Sequence, residues 1–254
     1  MVTLQGTLPQ HQDNNPRNSK TMSQIRKQLE ELADNKNAEF SKSLGIGGQL
    51  PVLGVRLPQL RALGKRLARQ ENWHEMLDNP NLLSYDTHEE ILLRSFLIGY
   101  AKMDTDERLR LLNDYIPLVS NWALCDCAVG SLSFKPGDSE KVWDFAARLL
   151  RSHEEYRVRF GAVLTCFCLK RAIPLDTLLG ELSRADTSEF YAMMGVAWAY
   201  AELFKLDNDR VLGFLSERHA DLRTTRKALS KICDSLTTTE EYRTRIKEIR
   251  KTFK

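Results

Sequence analysis

Residues 120–132 read SNWALCDCAVGSL. The apolar residues here do not alternate, and the chain as a whole has no β-branched runs with strand periodicity, so the stretch reads as a helix. On a helix, Trp122 and Asp126, four residues apart, lie on one face, one turn from each other. A tryptophan platform beside a lone carboxylate suits a flat cationic ligand. Cys125 and Cys127 flank the acid. Residues two apart on a helix point about 200° from each other, so these two thiols cannot jointly hold a metal or close a local disulfide. The same holds for Cys166 and Cys168, which leaves Cys233 as the odd one of five.

The same helical reading extends outward in both directions. Asp104-x-x-Glu107 opens a helix carrying Leu109, Leu112, Tyr115 and Ile116. Thr87-x-x-Glu90 is a capping box before EEILLRSFLIGYAK, which is apolar over most of its circumference and so belongs inside. Asn72 caps a short helix, WHEMLD. The segment GIGGQLPVLGVRLPQLRALGKRLARQ (45–70) begins as an irregular loop, because of its glycines and Pro51. It becomes a helix near Pro58, with Leu60, Leu63 and Leu67 on one stripe and Arg61, Lys65, Arg66 and Arg69 elsewhere. Thr21-x-x-Gln24 predicts a helix start and a helical pattern that runs to about residue 44. Beyond the central stretch, Lys135-Pro136-Gly137 makes a break. Residues 139–152, 154–171, 174–184, 188–204, 207–217, 221–235 and 239–252 are then helical, with short connections.

The expected fold is all-α, about a dozen helices taken in antiparallel pairs, with a pair spacing of about 35–40 residues that falls in the range of helical repeats. Basic residues return at similar places: Arg61 and Lys65, Arg157 and Arg159, Arg226 and Lys227. Stacked pairs would line these along one concave surface, although for any single cluster taken alone an ordinary solvated face is the better reading. Residues 1–20, MVTLQGTLPQHQDNNPRNSK, read as a polar, disordered tail, and residues 21–254 as one helical-repeat domain.

Composition narrows the class. Hydrophobic residues at 42% and charged residues at 28% fit a soluble folded chain. No run approaches the roughly 18 apolar residues of a membrane span, and the N-terminus lacks a secretory pattern. Cysteines in apolar helical segments fit packed thiols in a reduced cytoplasm. A net charge of +3 neither requires nor excludes nucleic acid. His11, His74, His88, His153 and His219 stand singly, without metal-ligand spacing, and no phosphate loop is present, so no metal or cofactor is expected.

Four segments in this order, LGVRLPQLRALGKRL, SNWALCDCAVGSL, YRVRFGAVL and SEFYAMMGVAWAYAELF, resemble the AlkD-like DNA alkylation repair glycosylases over most of residues 22–250. The resemblance implies a right-handed superhelix of HEAT-like repeats with a basic concave groove for DNA. Trp122 matches the family's first cleft tryptophan, Asp126 its catalytic aspartate, Arg159 the arginine at the DNA backbone and Trp198, 39 residues further on, its second cleft tryptophan. Arg56 falls where the best-known members have a glutamine near DNA. An arginine there can still meet phosphate, as can Arg157, Arg226 and Lys227.

The function implied is a monofunctional glycosylase that hydrolyses the bond to cationic N3- or N7-alkylated purines, such as 3-methyladenine and 7-methylguanine, in double-stranded DNA. The resemblance implies a lesion contacted from its backbone side without base flipping, and the protein is expected to act as a monomer away from membranes. Each residue also has a plainer reading. Trp198, among small apolar residues, reads first as a core tryptophan. Asp126 is either paired with a base such as Arg159, or functional, or both. Two rival functions remain at this level: a non-catalytic repeat protein that binds damaged or branched DNA, and a peptide-binding scaffold lacking salt-dependent DNA binding.

Overall fold

The computed structural model describes residues 23–48 and 50–253. The expected tail over residues 1–20 lies outside the described residues. Fourteen α-helices and no strand occur among the described residues. The first seven are α1 (Gln24–Glu31), α2 (Asn35–Ser43), α3 (Leu57–Leu67), α4 (Trp73–Asp78), α5 (His88–Tyr100), α6 (Thr105–Tyr115) and α7 (Trp122–Val129). The rest are α8 (Ser139–Leu150), α9 (Glu155–Leu164), α10 (Leu175–Ser183), α11 (Phe190–Phe204), α12 (Asn208–Ser216), α13 (Leu222–Asp234) and α14 (Glu240–Lys251). No described helix is long and apolar enough to cross a membrane.

The helices divide into a row and its attachments. α3, α5, α7, α9, α11 and α13 pack side by side, each against the next. The even-numbered helices from α6 onward attach to that row: α6 to α5, α8 to α9, α10 and α12 to α11, and α14 to α13. Two buried clusters fill the interior, one running from Ile25 to Leu169 and one from Leu150 to Phe253. Trp143 and Ile173 pack against both and so join them. Trp73 is buried in the first.

α5 shows why the row holds. Every residue from His88 to Gly99 is buried. Leu93, Phe96, Leu97 and Ile98 are completely so, each contributing about 1.5–3 kcal/mol by leaving water. The same helix buries charge, and each charge has partners. Glu89 accepts from the backbone N–H groups of Leu53, Gly54 and Val55 at 3.0, 2.7 and 3.3 Å. Glu90 accepts from Arg26, Ser84 and Thr87. Together they fasten α1 and the irregular loop before α3 to the core. Gly54 makes this possible: its φ is +81°, and a Cβ there would stand 2.1 Å from the Asp34 carbonyl.

Three local expectations change. The single helix expected to run to about residue 44 is broken into α1 and α2. The cause is Asp34, whose carboxylate accepts from the N–H groups of Lys36 and Asn37 and starts a new helix. Ser23, not Thr21, caps α1, by accepting from Arg26 N–H; Thr21 lies outside the described residues. Third, α9 does not continue evenly to residue 171 but widens into a π-turn over Thr165–Leu169. There the Thr165 hydroxyl donates to the Gly161 carbonyl and competes with the backbone ladder. At position 72 the helix begins as expected, but Asn72 makes no side-chain cap.

Candidate functional site

The site begins with the cap of α7. The Asn121 side-chain oxygen accepts from the N–H groups of Ala123 and Leu124, both at 3.1 Å, and satisfies two otherwise orphaned donors. Behind it, the Asn121 amide nitrogen faces Nδ1 of His88 at 3.4 Å. Burial pulls the His88 pKa down to about 4, so at neutral pH its ring is uncharged and can accept that hydrogen. The cap fixes the first turn of α7, and with it the stripe that carries Trp122 and Asp126. Both are half-buried.

Asp126 is held by one partner from the next helix in the row. On α9, Arg159 donates from Nε to Oδ1 of Asp126 at 3.0 Å and from Nη2 to Oδ2 at 2.7 Å. This is the paired fork that a guanidinium makes with a carboxylate. A third donor, Nη1, goes to the Tyr191 carbonyl on α11 at 3.2 Å. The side chains are 7% and 15% exposed. Burial works against the charge on Arg159, but the hydrogen bonds and charge of Asp126 win and hold its pKa above the ordinary value. Gly195 lets α11 come this close, since a Cβ there would meet Cγ of Arg159 at 3.0 Å.

Aromatic groups surround the pair. Trp122 donates its indole N–H to the Leu44 carbonyl at 3.1 Å, so the chain just after α2 reaches α7. The Tyr191 ring faces the Arg159 guanidinium at 5.9 Å and stacks on Tyr156 at 5.6 Å. Its own N–H donates to Glu155 at 2.5 Å. Trp198 lies two turns along α11 from Tyr191, half-buried, with Phe167 set edge-on at 5.2 Å. Phe167 is 48% exposed and comes from the π-turn. Trp198 thus serves the core and the surface at once, for it also packs on the first buried cluster.

The remaining candidates disperse. Arg157, two residues from Arg159, faces the other way: it pairs with Glu154 and lines a cavity with Arg110, Asn113 and Arg148. Arg56 precedes α3, is 65% exposed and pairs with Asp34 at 3.0 Å. Arg61 donates to the Tyr100 hydroxyl at 2.7 Å, and Lys65 sits over the same ring. Arg226 donates to the Phe253 carbonyl, and with Lys227 it lines a shallow depression on α13. The thiols pack. Cys125 and Cys166 are fully buried, and burial pushes both pKa values up. Among the described residues no three His, Cys, Asp or Glu side chains gather as a metal site.

Sequence reasoning passed over Tyr191, His88 and the Leu44 carbonyl. Tyr191 could have been found, since seven residues before Trp198 is the same helix face. The other two depend on contacts between distant segments.

An all-helical protein with one clamped carboxylate, flanked by aromatic rings on a continuous row of helices, is the class that fold and site define. A family model described as DNA alkylation repair enzyme matches residues 25–232, and the chain belongs to that family. Its role is therefore in DNA repair. A comparison with curated proteins finds no match.

Proposed function

We propose that this protein is a monofunctional DNA glycosylase that hydrolyses the glycosidic bond of N3- and N7-alkylated purines in duplex DNA. The observation that carries the reading is the Asp126 carboxylate, oriented through both oxygens by Arg159 and set on one stripe with Trp122. A purine alkylated at N3 or N7 is already cationic and leaves as a neutral base. No general acid is needed. What is needed is a negative group fixed where the sugar becomes oxocarbenium-like, and an acceptor that aims water at the anomeric carbon. Each carboxylate oxygen has two acceptor sites, and Arg159 uses one on each. Those left over can serve the water and the developing charge. Trp122 and Trp198 would cradle the cationic nucleotide through their ring faces, at about 0.5–2 kcal/mol each.

The row of helices supports the finer architecture too, a right-handed HEAT-like superhelix whose basic concave groove takes the duplex. The lesion is engaged from its backbone side, without base flipping, and the protein works as a monomer. Its five unpaired thiols suit the cytoplasm.

The experiment is base release from methylated duplex, with uracil-containing duplex beside it. Release of 3-methyladenine and 7-methylguanine with negligible uracil is expected, because uracil needs leaving-group activation this site lacks. Tight, salt-dependent DNA binding with no base release would favour a non-catalytic DNA-binding protein. Absence of salt-dependent binding would favour a peptide scaffold.

A further inference from the structure

Two carboxylates compete for Arg159, and it takes the one further away in sequence. Glu155 stands four residues before it on α9, the spacing and order at which a Glu–Arg pair forms readily on a helix. The guanidinium pairs instead with Asp126 on α7, 33 residues earlier. Glu155 is engaged elsewhere, and its partner is the residue that also holds Arg159 in place.

That residue is Tyr191, in the first turn of α11. In α5, α7 and α13 a first-turn N–H group is satisfied by the residue that precedes the helix, namely Thr87, Asn121 and Asp221. In α11 the residue at that position, Glu189, makes no side-chain cap. Tyr191 is the second residue of α11, and its N–H is one of the donors such a cap serves. It donates to Oε1 of Glu155 at 2.5 Å. The cap of α11 therefore comes from α9, and it brings a negative charge to the positive end of the α11 dipole. Tyr191 then acts through its other backbone group. Its carbonyl accepts from Nη1 of Arg159 at 3.2 Å, while its ring faces the same guanidinium. The path is unbroken: Glu155 to the Tyr191 N–H, the Tyr191 carbonyl to Arg159, and Arg159 to both oxygens of Asp126.

We propose that Glu155 is a positioning residue for base release: it caps α11 from α9, fixes the Tyr191 carbonyl, and so holds Arg159 in its fork on Asp126. The assignment rests on the glycosylase reading. A carboxylate that aims water and faces a developing charge must be placed closely, and a misplacement of about 1 Å costs about 100-fold in rate. Without the cap, the first turn of α11 is free to shift, and Arg159 loses the anchor that sets the plane of its guanidinium.

The test uses the full chain and a duplex with one 7-methylguanine. Single-turnover release is measured at saturating DNA, and affinity by titration. Water exchange of the Arg159 Nε–H is followed by NMR, its resonance identified by its loss in Arg159→Lys. Glu155→Ala should lower saturating release about tenfold, with affinity within about threefold of wild type. It should also speed the exchange about tenfold. Two more variants separate the hydrogen bond from the charge. Glu155→Asp keeps the charge but is one methylene short of the Tyr191 N–H, and should fall as far as Glu155→Ala. Glu155→Gln keeps the accepting oxygen and its reach, and should stay within about threefold of wild type in release and in exchange. Glu154→Ala, which removes the exposed neighbour paired with Arg157, should change neither. Wild-type release in Glu155→Asp, a loss in Glu155→Gln equal to that in Glu155→Ala, or a loss of release with unchanged Arg159 exchange would overturn the proposal. If wild type releases no base while exchange still quickens in Glu155→Asp and not in Glu155→Gln, the glycosylase reading fails and the positioning of Arg159 by Glu155 stands.

Discussion

Two arginine–aspartate pairs differ in nearly everything except their chemistry. Arg159 and Asp126 meet through two bonds, with 7% and 15% of their side chains exposed. Arg56 and Asp34 meet at 3.0 Å, with 65% and 30% exposed. In water the second pair gains little, because solvent screens the attraction and two side chains must be ordered to make it. In the first, the carboxylate has been taken largely out of water and depends on its partner. The difference teaches what to look for in this fold. Glu89 and Glu90 are also fixed by burial, but all their partners lie inside the fold, whereas Asp126 is fixed while still partly exposed, and a fixed, reachable acceptor is what a cationic transition state can use.

The comparison can be broken in steps of decreasing size. Arg159→Ala should destabilise the fold by about 3 kcal/mol, read by denaturant melts, because it strands the Asp126 carboxylate. An effect as small as that of Arg56→Ala would mean that burial does not distinguish the pairs.

The second step is acid. His88 has a folded pKa of about 4 against an ordinary 6.5. Between those values the unfolded chain takes up a proton that the folded chain refuses, so stability is complete above pH 6.5 and falls as pH drops toward 4. The loss is about 3 kcal/mol. His88→Gln should flatten that pH profile; an unchanged profile would remove His88 from the support of the α7 cap.

Third, Trp122→Phe keeps an aromatic ring but loses the N–H given to Leu44 and part of the ring face. Melts should record about 1 kcal/mol, with a few-fold loss in base release. Smallest of all, Arg56→Ala should leave the melting temperature within about 2 °C, with base release at saturating DNA unchanged.

Much of the architecture was legible because it rests on local rules. Thr87 and Asp104 announce α5 and α6 through capping chemistry, and Lys135-Pro136-Gly137 marks the break after α7. Asp34 was not legible as a helix start, because a lone acid in a polar stretch also fits the outer face of one long helix. The π-turn at Thr165 was hidden for a similar reason, since its residues keep helical periodicity. At the site, Trp122 and Asp126 could be paired by spacing alone. Whether Asp126 met Arg159 was an open choice, and the structure closes it at 2.7 Å. The Leu44 carbonyl and His88 come from 78 and 33 residues away from Trp122 and Asn121, and no local pattern carries such contacts.

The central claim is that the clamped carboxylate does the chemistry. Asp126→Asn preserves size and leaves acceptor and donor groups beside Arg159, but removes the charge. Single-turnover release of 7-methylguanine should fall about 100-fold or more, while affinity for the same duplex stays within a few-fold of wild type. Equal release by the two proteins would contradict the account.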